Sequence, residues 1–243
     1  LGVLMGNIYS RSKGRAFLLR NKSMKLWREW LIKIDHSESN IKLEKPLIKL
    51  ASSEKEYQSM IEISKNKKEY GIELLDKTSI EFWSSKFEKK LIGGLISHED
   101  GRLNPIKLIK SLMQSLEKIK VNKVEDKVIR IRKNFNSLNK KWKIYLESNQ
   151  CLRQDYVIIC SALHTQKLLK PLGHTIILEP ILGQIIELEL EHKTTNWNQW
   201  PAILNYQSIN FIHQDPNHIL MGATIERGTE PNILNKEKMF NMS

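Results

Sequence analysis

Few residues in this 243-residue chain have types and spacings that could carry chemistry, and they are scattered. Cys151 and Cys160 form no C-x-x-C pattern, so they make neither a zinc knuckle nor a dithiol motif. Cys160 lies in an apolar run and reads as a buried thiol. Two cysteines in a chain of this length fit a reducing, cytoplasmic setting better than a disulfide scaffold. His98, Glu99 and Asp100 stand together in "SHED", but no second ligand cluster follows at metal spacing, so no metal site is expected. His164 reads as a surface or packing histidine, because no partner in view fixes its tautomer. What remains is "QDYVIICSALHT", residues 154–165. An apolar run ends at the small residues Ser161 and Ala162, and "QKLLKPLG" follows with helical character. A strand in an open parallel sheet presents its carboxyl end to a nucleotide in this way. Yet no glycine-rich phosphate loop stands anywhere in the chain.

The elements that must position this end are legible from periodicity. "NKSMKLWREWLIKI" places Met24, Trp27, Leu31 and Ile34 at helical spacing. Ser53 with Glu56, and Thr78 with Glu81, read as capping boxes. Asn104 before Pro105 predicts a helix start, and the helix carries Ile109, Leu112, Met113, Leu116 and Ile119 along one stripe. "KVIRIRK" and "KWKIYLE" read as antiparallel strands joined by "NFNSLNK". "YVIIC" does not alternate and reads as a strand buried on both faces of a parallel sheet. "QIIELEL" alternates and reads as half-exposed. "INFIH" and "HILMGA" flank "QDPN", where Pro216 and Asn217 suit the centre of a type I turn. A buried parallel-type strand followed by an antiparallel meander implies a nucleotide-binding domain with a second, sheet-based domain threaded through it.

Charge narrows the function classes. The net charge of +12 is uneven: residues 1–50 carry 11 basic and 4 acidic groups, and residues 101–150 carry 13 and 4. The lysines sit between apolar positions of helices and strands, where a polar face is required. Aromatic residues are not interleaved with them as single-strand nucleic-acid binding requires. A solvated basic face is therefore favoured, and no nucleic-acid partner is expected. No apolar run approaches the length of a membrane span.

The order of these stretches resembles the FAD-dependent amine and D-amino-acid oxidase family, in particular its glycine oxidase branch. "LGVLMG" resembles the small-residue loop beside the flavin ring. "PLIKLASSEKEYQSM" resembles the opening of the cap domain, and "GIELLDKTSIEFW" the stretch leading to its short helix. "GGLISHEDGRLNPIKLIKSL" is similar to the family's acidic-G-x-V-x-P-x-x-L segment, and "DKVIRI" to its adenine-contacting strand. "DYVIICSALHTQKLLKPLG" is similar to the D-x-V-V-x-A-x-G-x-W return strand. "EPILGQIIEL" and "HILMGATIE" resemble P-V-x-G-Q and G-A-T-x-E. The resemblance spans nearly the whole chain.

The resemblance implies an α/β fold with α+β elements, part of an FAD-binding Rossmann-like domain interleaved with an antiparallel-sheet cap. Residues 1–40 and 96–178 then belong to the FAD domain, and 41–95 and 179–243 to the cap. It places the glycine-rich pyrophosphate loop upstream and the carboxylate-binding G-x-R-P arginine downstream of these residues, so the chain reads as an internal piece of a longer protein. Leu1, Gly2, Val3, Val128, Ser161 and Ala162 map onto cofactor-binding positions, Val128 through its backbone, and Asn210, Gly222 and Ile225 onto positions near the substrate. Ala162 departs from the glycine usual in the family. The implied activity is oxidation of the C–N bond of a small amino acid or amine, with FAD as cofactor and oxygen or another electron acceptor as partner. No side-chain acid or base is demanded, and none is assigned. A polyanion-binding module and an inactive member of the fold are the alternatives. Substrate identity and homo-oligomerisation stay open.

Overall fold

The computed structural model describes residues 1–34, 40–87, 89–135, 141–190 and 199–228. In chain order the elements begin with β1 (Val3–Leu4), α1 (Arg15–Ile34), β2 (Leu47–Ala51), α2 (Glu54–Asn66), β3 (Ile72–Leu75), α3 (Glu81–Ser84), β4 (Gly93–Ser97), β5 (Gly101–Arg102) and α4 (Pro105–Lys118). They continue with β6 (Val128–Lys133), β7 (Trp142–Leu146), β8 (Cys151–Gln154), α5 (Thr165–Leu169), β9 (Ile181–Leu182), β10 (Ile185–Glu189), β11 (Ile203–Tyr206), β12 (Ile209–Asp215), β13 (His218–Gly222) and β14 (Glu226–Arg227).

The helices start where local chemistry dictates. Ser53 caps α2 by accepting from Glu56 N, and the Glu56 carboxylate reaches back to Ser52 N at 2.9 Å. Asn104 Oδ1 accepts from Ile106 N and Lys107 N, with Pro105 in the first turn of α4. The capping box expected at Thr78 and Glu81 does not form. Asp76 takes Thr78 Oγ1, Ser79 N and Ser79 Oγ instead, because an ionised carboxylate is a stronger acceptor than a hydroxyl. These bonds hold the Asp76 carboxyl down at a pKa of about 2.

The chain divides into two compact units. The first contains residues 1–120 and 183–224, so the segments 1–40 and 41–95 lie in one unit. Its centre is a seven-stranded sheet in the order β10-β13-β12-β11-β2-β4-β3. All pairs are antiparallel except β2 with β11. The meander expected from "QIIELEL", "INFIH" and "HILMGA" is present as β10, β13 and β12. Along β2, Leu47 and Ala51 face one apolar cluster with Met60 of α2, and Ile48 and Leu50 face another with Trp83 of α3. Met24 and Leu31 are buried on α1. The α4 stripe is a different matter: Ile109, Leu112, Leu116 and Ile119 are exposed, Met113 is half-buried, and Ser111 is the buried residue of the helix.

The second unit contains residues 121–182 and begins again at Ile225. It holds the antiparallel β6-β7-β8 sheet, the β9–β14 pair and α5. The expectation for "YVIIC" is corrected here. Residues 156–160 enter no strand, Tyr156 and Ile158 are 85% and 87% exposed, and Cys160 is an exposed rather than a buried thiol. A run that is apolar on both faces needs strands on both its edges, and among the described residues none pairs with it.

Candidate functional site

Two fully buried charges organise the loop that follows β1. β1 pairs with β5, Val3 opposite Arg102, and Leu103 N donates to Gly2 O at 2.9 Å. Gly2 has φ +70°, and a Cβ on it would lie 1.8 Å from Leu103 O, so glycine is required there by the protein's own backbone. Asp100 then receives three successive amides: Gly6 N and Ile8 N at 2.8 Å, and Asn7 N at 3.0 Å. Asn7 Nδ2 adds a fourth bond at 3.2 Å. This is a backbone nest around a carboxylate.

From the other side the Lys67 ammonium donates to Asn7 O at 2.9 Å, Arg11 O at 3.0 Å and Tyr9 O. Burial lowers the Lys67 pKa, the nearby Arg20 adds to this, and Asp100 opposes it. Amides are taken by Asp100 and carbonyls by Lys67, so the loop from Gly6 to Arg11 is held on both sides. Sequence reasoning missed both residues. The Asp100–Gly101 pair within "SHEDG" was the available signal for one of them; nothing local marks Lys67.

The loop and the sheet share one core. Leu1, Val3 and Met5 pack against the cluster containing Leu47, Ile203 and Ile212. On that sheet Asn210 stands opposite Gly222 on one side and opposite Asn205 on the other. Asn205 Nδ2 donates to Asn210 Oδ1 at 2.9 Å and to Ile209 O at 3.3 Å. Asn210 and Gly222 are thus brought together as cross-strand neighbours. Ile225 falls in the other unit and is 76% exposed.

In the second unit, Val128 and Ser161 line one cavity of about 730 Å³. Its walls are apolar at Ile131, Ile144 and Leu168 and include Lys167 and Lys127, whose ammonium pairs with Glu147 at 2.9 Å. Val128 opens β6, an edge strand whose register shifts between Val128 and Arg130. Ser161 Oγ lies 3.1 Å from Thr165 Oγ1. Ala162 has φ +45°, in the left-handed region that glycine adopts without cost. His164 and Cys160 also line the cavity. Among the described residues no three His, Cys, Asp or Glu side chains gather as metal ligands.

An apolar-walled cavity with a few polar side chains has the character of a small-molecule site. The family model described as "FAD dependent oxidoreductase" matches residues 1–240. None of the curated proteins has a sequence that matches. Among solved structures, glycine oxidase from Geobacillus kaustophilus is 18% identical with a TM-score of 0.80, over 99% of this chain and 64% of that one. Iminodiacetate oxidase from Chelativorans sp. BNC1 is 16% identical with a TM-score of 0.77, over 99% of this chain and 65% of that one. L-alpha-glycerophosphate oxidase from Mycoplasma pneumoniae, solved with FAD bound, is 13% identical with a TM-score of 0.72, over 97% and 64%. The chain thus spans just under two thirds of the length of these structures. Family match and shared fold together place the chain in the FAD-dependent oxidoreductase family, whose cofactor is FAD.

Proposed function

We propose that the protein oxidises the C–N bond of a small amino acid or amine. The observation that carries this reading is the common core of the first unit. The loop assigned by resemblance to the flavin ring packs, through Leu1, Val3 and Met5, on the sheet face that bears Asn210. Asn210, Gly222 and the loop residues Leu1 and Val3 are then positioned by one packed core rather than by separate mobile loops.

Leu1, Gly2 and Val3 hold the ring side of the cofactor, Gly2 through its backbone. In the second unit Val128, Ser161 and Ala162 offer cofactor-binding positions of their own, Val128 with backbone groups on the open edge of β6. Bound FAD supplies the two-electron acceptor for the oxidation. Leu1 and Val3 exclude water from the reacting face, and Asn210 orients the substrate with a fixed amide. Gly222 keeps the sheet surface low beside it. No side chain is required to hold a catalytic proton, since a neutral amine can give up its hydride without a protein base.

The experiment is anaerobic reduction of the flavin-loaded protein by glycine, sarcosine, larger amino acids and glycerol 3-phosphate, followed by loss of oxidised-flavin absorbance. Reduction by members of the amine series supports the reading. Reduction by glycerol 3-phosphate alone would move the chemistry to a C–O bond.

A further inference from the structure

Lys49 stands at the centre of the seven-stranded sheet among residues that are sealed from water. β2 has β11 on one side and β4 on the other. Leu47 and Ala51 lie on the same face as Lys49, two residues to either side, and both are 0% exposed. Its cross-strand partners are Leu95 at 0% and Asn205 at 6% exposed. Yet Lys49 itself is exposed. The face is therefore closed around this position and opens at it.

The opening is a cavity of about 200 Å³. Lys49 and Asn205 line it from the sheet, Tyr9 and Ser10 from the clamped loop, and Ser59 from α2. No ion pair joins Lys49 to another described residue. Lys49 pairs with Asn205, and Asn205 with Asn210, so one polar row crosses three adjacent strands on a single face. Within that row Asn205 Nδ2 is spent on Asn210 Oδ1 and Ile209 O. The Asn210 amide is thereby oriented with its oxygen toward Asn205, leaving Nδ2 as its remaining donor.

We propose that Lys49 anchors a small carboxylate at this row, with hydroxyl and amide donors from the cavity wall and from Asn210 completing the contact. One ammonium with neutral donors suits a monoanionic carboxylate; a phosphate dianion calls for more than the single cation that lines this cavity. The anion site does not rest on the function proposed above, whose substrate carboxylate the resemblance assigns to an arginine downstream of these residues. A lysine whose stem merely covers apolar surface while its head reaches water would leave the same exposure, and the charge-removing variant separates the two.

The test is a titration of ¹⁵N-labelled protein with sodium acetate, acetamide and inorganic phosphate at constant ionic strength. Backbone amides of 47–51 and the side-chain amides of Asn205 and Asn210 are the readout. Acetate should shift these signals saturably and acetamide should not. Lys49→Met keeps the stem and should weaken acetate at least about tenfold, the scale of a charge-assisted hydrogen bond. Lys49→Arg should restore binding. Thermal melts of both variants should match the parent, since the side chain is exposed. Undiminished acetate binding in Lys49→Met, an absent saturable response, or phosphate binding tighter than acetate would each overturn the proposal. Flavin content, read separately by absorbance, distinguishes the two readings. Flavin retained without acetate binding removes the anchor and leaves the flavin reading, and the reverse removes the flavin reading and leaves the anchor.

Discussion

At the residue scale Asp100 and Lys67 hold one loop from opposite sides, and only Asp100 has a local pattern that marks it. Each is fully buried, and each satisfies several backbone groups of the Gly6–Arg11 loop. Asp100→Asn replaces an acceptor facing four donors with a group that must present a donor to some of them. Lys67→Met leaves the carbonyls of Asn7, Tyr9 and Arg11 without their shared donor. Each should cost about 2–4 kcal/mol, the range for stranding buried hydrogen-bonding groups, and chemical denaturation measures it. Ala162 offers the opposite case. Its φ of +45° carries a left-handed strain of about 1–2 kcal/mol that glycine does not have. Ala162→Gly should raise stability by about 0.5–1 kcal/mol after the entropy of the added glycine is counted. Equal or lower stability would show that the Cβ makes contacts worth more than the strain. The resemblance implied glycine at this position, and the backbone angle supplies a reason for it. Gly2 was legible too, although the close approach that demands it is to Leu103.

At the scale of elements, the hairpin of β12 and β13 has a titratable latch at its turn. His218 Nδ1 lies 2.8 Å from Asp215 Oδ1, and that bond raises the His218 pKa above its ordinary 6.5. Asp215 is lowered below its ordinary 3.8, first by the Asn217 backbone amide and then by His218. The histidine's contribution is fully present below pH 6.5 and fades as pH rises through the raised folded-state value. The aspartate's contribution is present above 3.8 and is lost as pH falls through its lowered value. The latch is therefore closed between those limits. A ¹H NMR titration should place the His218 midpoint above 6.5, and Asp215→Asn should return it toward that value. An unshifted parent midpoint would mean the pair is open in solution. This turn was readable from "QDPN", as the α2 cap was from Ser53 and Glu56. The cap at Thr78 was misread because Asp76, two residues upstream, takes the Thr78 hydroxyl, and Glu81 N donates to the Thr78 carbonyl instead.

The whole molecule pairs a large, doubly covered sheet with a smaller and more open unit. Leu47, Leu95, Ile203 and Leu204 are sealed within the first. In the second, β8 is largely exposed and residues 156–160 lie outside any strand. Hydrogen exchange should be slowest at the amides of β2, β4 and β11 and faster by orders of magnitude in β8, because exchange follows local burial and cooperativity. Equal protection in the two would contradict the division into units. The sequence by itself determined what depends on neighbours along the chain: helix periods, two caps, the hairpin turn and the alternation of β10. It also carried, by resemblance, the family to which the chain belongs. Only the tertiary structure decided what depends on distant partners. The apolar run at 156–160 carries a strand's pattern, but a strand needs edges to bond to. The α4 stripe carries a core pattern, but Ser111 faces inward. Lys67, Asp100 and Lys49 are charges whose meaning comes from loops and strands far away in sequence, and register across a sheet cannot be read from one strand alone.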